Sequence, residues 1–156
     1  MYKRQPDALL FISSALDTAR FAQQAAQLKA TQKIIGVEWA ATERLMELGG
    51  KAVDGLYLAQ FFDRDDKLPD FQNFRQAYAK RFQQPPGFAS VAAYDATQAT
   101  LQAIGKNKNG ESLKQTLLER GPFVGAQQPI RFDRYGDAER RAYVTTIRDG
   151  RFVVIE

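Results

Sequence analysis

The 156-residue chain contains no histidine and no cysteine. A Ser-His-Asp triad, a cysteine nucleophile and the usual zinc ligand sets are therefore impossible. The lack of cysteine also removes any disulfide framework, and with it the usual guide to compartment. No apolar run approaches the roughly 20 residues that cross a bilayer. The opening Met1-Tyr2-Lys3-Arg4-Gln5-Pro6 has two positive charges but no apolar signal core, so no export signal is expected in this chain. Gly36 stands alone, without a G-x-G-x-x-G or Walker pattern, so a nucleotide site is unsupported. Paired carboxylates remain open to acid–base chemistry, Glu38 and Asp95 among them, but the sequence does not say which acids meet in space. Binding is favoured over catalysis, and no cofactor is implied.

Apolar residues make up 44% of the chain and charged residues 26%, enough for a real core and a charged surface in one ordinary domain length. The net charge of +4 is mild. Its densest cluster, Arg134, Arg140 and Arg141, is interrupted by Asp133, Asp137 and Glu139. It reads as a solvated turn, and no nucleic-acid partner is expected. Asp63, Asp65, Asp66 and Asp70 lack the turn glycine and final glutamate of a calcium loop. They read as a solvated acidic linker, and no metal site is expected.

The first part of the chain alternates strand and helix. Ala8 to Ile12 is a short apolar run, as expected for a strand buried on both faces. Ser13-Ser14 follows, and Asp17 is a candidate cap for a helix whose Phe21, Ala25 and Leu28 share a face. Lys33 to Val37 reads as a second strand. A short helix with Leu45, Met46 and Leu48 ends at Gly49-Gly50, and Val53 to Ala59 reads as a third strand. This β-α-β-α-β order predicts a parallel sheet with right-handed crossovers.

The middle is helical. Phe71, Phe74, Tyr78 and Phe82 lie on one helical face, and Pro85-Pro86-Gly87 stops that helix. A second helix over Ala89 to Ile104 has a bulky stripe of Tyr94, Thr97, Leu101 and Ile104. Its small-residue ridge of Ala92, Ala96, Ala99 and Ala103 suits close helix approach. Leu113, Leu117 and Leu118 mark a third helix. The tail then changes to period two, with turns at Arg134-Tyr135-Gly136-Asp137 and at Asp149-Gly150, the latter a preferred type I′ hairpin pair.

The most informative stretch is Gly36-Val37-Glu38-Trp39-Ala40, at the carboxyl end of the second strand. In open parallel sheets, ligands collect beyond the carboxyl ends of the strands. Glu38 suits an ammonium group, and Trp39 offers an apolar wall or a π face. Ser13 and Ser14 hold the equivalent place after the first strand, where hydroxyl and backbone N–H donors suit a carboxylate. Helix capping is the simpler role for those two serines.

Taken in order, these segments resemble the type I periplasmic binding proteins that serve branched-chain amino-acid ABC transporters. Pro6-Asp7-Ala8 is similar to the family's "PDAV" stretch, and Ile34-Ile35-Gly36-Val37-Glu38 to the strand and loop that deliver an acid to the ligand's ammonium. Ala52 to Tyr57 resembles the "AEGVY" strand. Phe71 to Phe82 with Pro85-Pro86 resembles the "F...Y..R(F/Y)...P" helix, and Ala93-Tyr94-Asp95-Ala96 the "AYDA" helix. Gly125, Ile130-Arg131-Phe132-Asp133 and Gly136-Asp137 match the "G.I.FD..GD" hairpin.

The resemblance implies an incomplete α/β fold. It comprises the three-layer parallel-sheet lobe of such a protein with a C-terminal antiparallel β-meander. Residues 1–60 would form the second-lobe β-α-β-α-β segment. Residues 61–124 would form helices that normally pack on a first lobe lying outside this chain, and residues 125–156 the meander. It further implies that Glu38 binds the ligand ammonium, that Trp39 lines the side-chain pocket, that Ser14 faces the cleft and that Phe61 lies at its edge. The expected ligand is a branched-chain or other amino acid, or an aromatic or aliphatic carboxylate. The expected partner is an ABC permease, the compartment the periplasm or another extracytoplasmic space, and there is no catalytic step. As a fragment the chain is expected to form a homodimer that covers its exposed helical stripes. The alternative is an effector-sensing domain of a transcription regulator or receptor with the same fold.

Overall fold

The computed structural model describes residues 6–155. The start of the chain, on which the expectation of no export signal partly rests, lies outside them. The chain forms two compact units: one runs to Arg64 and resumes at Ala142, and the other spans Asp65–Arg141.

The first unit is built on a five-stranded sheet of order β1-β2-β3-β6-β7. Its strands are β1 (Ala8–Phe11), β2 (Lys33–Gly36), β3 (Tyr57–Gln60), β6 (Tyr143–Arg148) and β7 (Arg151–Val154). The first three are parallel, as the alternating order predicts, while β6 runs antiparallel to β3 and β7 antiparallel to β6. Helices α1 (Ala15–Gln27) and α2 (Glu43–Gly49) pack together against one sheet face. Ala19, Ala22, Leu45, Leu56, Leu58, Ile147 and Phe152 make the core there.

Three local expectations need correction. β1 is not buried on both faces: Leu10 is 61% and Ile12 is 68% exposed. An edge strand has only one neighbour, and within this unit the helices cover one face alone. The cap of α1 is Ser14 and not Asp17. Ser14 has extended backbone and its Oγ accepts the Asp17 N–H at 3.2 Å, so Asp17 sits as an acidic residue in the first turn. The buried face of α1 is Thr18, Ala19, Ala22 and Ala25, with Leu28 exposed. Small residues allow α1 and α2 to approach closely, while Phe21 turns aside to meet Phe11 edge-on at 5.3 Å.

The second unit holds α3 (Pro69–Phe82), α4 (Phe88–Lys106), α5 (Leu113–Glu119) and a small antiparallel pair, β4 (Arg131–Phe132) with β5 (Ala138–Glu139). The expected face of α3 forms an aromatic ladder from Phe71 through Phe74 and Tyr78 to Phe82, and Phe74 also stacks on Tyr94 of α4 at 4.3 Å. On α4, Ala99 and Ala103 of the small ridge are buried with Phe123 and Ile130. Leu101 and Ile104 of the bulky stripe are exposed.

The period-two tail thus makes strands in both units. Alternation identifies a strand but not its partner: β4 and β5 pair with each other, whereas β6 and β7 extend the main sheet. The Asp149-Gly150 turn is as predicted, with φ of 49° and 68° at its two central residues.

Candidate functional site

Parallel strands β1, β2 and β3 end at Phe11, Gly36 and Gln60. The three loops that follow carry all the residues expected at a site. Gly36 suits the end of β2, because a Cβ there would lie 2.8 Å from Leu58 Cδ2 of the neighbouring strand and push that side chain aside. The chain then enters a 3₁₀ turn, Glu38–Ala40, closed by the Ala41 N–H donating to Glu38 O at 2.7 Å.

Glu38 and Phe61 are brought into direct contact. The Phe61 N–H donates to Glu38 Oε1 at 3.2 Å, tying the loop after β2 to the end of β3. The neighbouring Trp39 is 58% exposed and Phe61 is 40% exposed. A carboxylate at the strand ends, with exposed aromatic side chains beside it, can receive an ammonium group together with an apolar body.

The serines after β1 are engaged locally. Ser14 Oγ accepts the Asp17 N–H and donates to Asp17 Oδ2 at 3.0 Å, and Ser13 Oγ is 2.8 Å from Thr18 Oγ1. Their demonstrated work is to shape the start of α1.

A family model for periplasmic binding proteins matches residues 1–151. The chain belongs to this family. Among solved structures it is similar to the leucine-binding protein LivK of Thermotoga maritima, at 26% identity and a TM-score of 0.87, covering 97% of this chain and 44% of that one. It is also similar to an ABC transporter substrate-binding protein of Desulfitobacterium hafniense in complex with Leu, at 24% identity and TM-score 0.80, covering 96% of this chain and 43% of that one. The fold is shared with LivJ of Streptococcus pneumoniae in complex with isoleucine, at 19% identity and TM-score 0.83, covering 98% of this chain and 45% of that one. A search of the curated proteins finds no match. The chain therefore spans less than half the length of these solved binding proteins.

Sequence reasoning missed the polar groups that lock the second unit of this periplasmic binding protein chain. Asp95 is 2% exposed on α4, accepts the Ala126 N–H at 2.7 Å and pairs with Arg140 Nη2 at 3.0 Å. Arg140 is thus not part of a solvated turn; its side chain is 16% exposed. Burial pushes the Asp95 carboxyl above its ordinary value, against the Ala126 N–H and the Arg140 charge. Gly125 fits this lock because a Cβ would meet Gln128 O at 2.6 Å and Asp95 Oδ1 at 3.1 Å. The "AYDA" and "G.I.FD" segments are therefore partners in one structural lock, and Asp95 is not placed as a catalytic acid.

Proposed function

We propose that this chain is the ligand-binding portion of an ABC-transporter substrate-binding protein for amino acids or related small carboxylates, without a catalytic step. The carrying observation is the Glu38 carboxylate, held against the Phe61 N–H at the strand ends beside exposed Trp39. Glu38 supplies the counter-charge for the ligand ammonium, while Trp39 and Phe61 wall its side chain. Ser13 and Ser14 border the same edge, their hydroxyls already committed to the start of α1. The solved relatives bound to Leu and isoleucine support an aliphatic amino acid as the first ligand to test.

The working partner is an ABC permease, met after ligand is enclosed. The compartment is extracytoplasmic, in keeping with the family; among the described residues no helix is long and apolar enough to cross a membrane. Association of two copies is a further part of this reading. It rests on exposed Leu101 and Ile104 of α4, and light scattering should then report about twice the 17.6 kDa chain mass.

Calorimetry with leucine, isoleucine and benzoate tests the ligand class. Binding of the two amino acids with little binding of benzoate is expected. If benzoate binds best, Trp39→Ala should weaken it more than Glu38→Gln does, and the ammonium role of Glu38 falls.

A further inference from the structure

Behind the candidate site lies a buried polar cluster that the sequence motifs do not explain. Gln60, the last residue of β3, is fully buried. Its Nε2 donates to Thr145 Oγ1 on β6 at 2.6 Å, and that hydroxyl donates to Leu58 O at 3.1 Å. Gln60 Oε1 accepts from Arg64 Nη1. The other arm of the same guanidinium, Nη2, donates to Ala41 O at 3.1 Å and lies 3.5 Å from Glu43 Oε1. Its Cζ lies over the rings of Phe62 and Phe152, 4.7 and 4.1 Å from their centroids.

One side chain thus joins two of the loops that build the site. Ala41 closes the 3₁₀ turn that carries Glu38 and Trp39, while Gln60 immediately precedes Phe61. A backbone-to-carboxylate hydrogen bond at 3.2 Å links those loops directly. When that bond opens thermally, the freedom of Glu38 relative to Phe61 depends on what holds the two loops from behind. A planar fork packed on two aromatic rings meets that need, because each arm has a fixed direction and the rings hold its centre. The Glu43 contact does not: that carboxylate is 53% exposed, and exposed ion pairs contribute little.

We propose that Arg64 is a positioning residue, which holds the Glu38–Trp39 turn in register with the Phe61 end of β3 so that the site is preassembled. The proposal rests on the reading of Glu38 and Phe61 as site residues. It adds that their relative placement depends on the Arg64 guanidinium, which joins Gln60 to Ala41.

Amide hydrogen exchange by NMR, without ligand, tests it on the unaltered chain and on Arg64→Met, Arg64→Lys and Glu43→Gln. Met keeps the stem's packing, and Lys keeps the charge without the fork. In both Arg64 variants, exchange at the Phe61 and Ala41 amides should rise about tenfold or more beyond any rise at Gly55 and Ile155. The latter amides bond to Ile147 O and Val144 O in the same unit. Glu43→Gln should leave all four unchanged. An equal rise at all four amides in the Arg64 variants means that Arg64 only stabilises the unit, and overturns the proposal. A Glu43→Gln effect as large as that of Arg64→Lys places the work in the ion pair, and overturns it equally. Leucine binding to the unaltered chain is measured separately, so its absence counts against the Glu38 reading while the exchange pattern still decides Arg64.

Discussion

The two units solve the same problem, fixing loops onto a small core, with different chemistry. In the first unit the core is apolar, and polar groups gather at one end of the sheet, where Gln60, Thr145 and Arg64 stand behind half-buried Glu38 and exposed Trp39 and Phe61. In the second unit the charge lies within the core: Asp95 sits inside the bundle and pins both the Gly125-Ala126 loop and Arg140. A buried pair of this kind costs desolvation, so it is weak support for stability, yet removing one partner is severe. The contrast separates a unit whose polar residues shape an open edge from a unit whose polar residues hold it shut.

Breaking the second unit should have the larger consequence. Asp95→Ala strands the Arg140 guanidinium in a buried place and frees the Ala126 N–H, for a loss of about 3–5 kcal/mol. The chain's one tryptophan, Trp39, lies in the first unit. Denaturation followed both by exchange at the second unit's amides and by Trp39 fluorescence should therefore show the loss concentrated in the former. Gly125→Ala attacks the same lock through backbone crowding against Gln128 O and should cost about 1–3 kcal/mol in that unit. On the first unit, Ser14→Ala removes the cap of α1 and should cost about 1 kcal/mol, read as a lower denaturation midpoint by Trp39 fluorescence.

The mildest test uses pH. Glu111 receives the Arg120 Nε–H at 2.8 Å and its Nη2–H at 3.0 Å, and this partner holds its carboxyl down to about 2. A depressed carboxylate contributes stability above its unfolded value of 4.5 and loses it as pH falls towards about 2. Glu111→Gln should lower the melting temperature slightly at neutral pH and flatten its fall between about 4.5 and 2, so that the two curves converge at the acid end.

The placement of Glu38 and Trp39 after the second strand was legible because it depends on local order. A strand, then Gly36, then Glu38-Trp39 before a helix places those side chains at a strand's carboxyl end whatever the rest of the chain does. The aromatic face of α3 and the Asp149-Gly150 turn were legible for the same reason, through period and turn chemistry. What the sequence hid is long-range. Asp95 looks like any polar helix residue and Arg140 like a solvated turn charge until the fold joins them. Thr145 reads as a strand residue, with nothing to show that it holds Gln60. Burial of β1 was misread because an apolar run does not reveal whether its strand lies at the centre of a sheet or at its edge.

Calorimetry of leucine binding to the unaltered protein and to Glu38→Gln tests the site most directly. The neutral amide keeps the shape and an acceptor for the Phe61 N–H but removes the counter-charge for the ammonium. Affinity should fall by about a hundredfold or more with the fold intact. An unchanged leucine affinity in Glu38→Gln would remove Glu38 from the site and contradict the assignment.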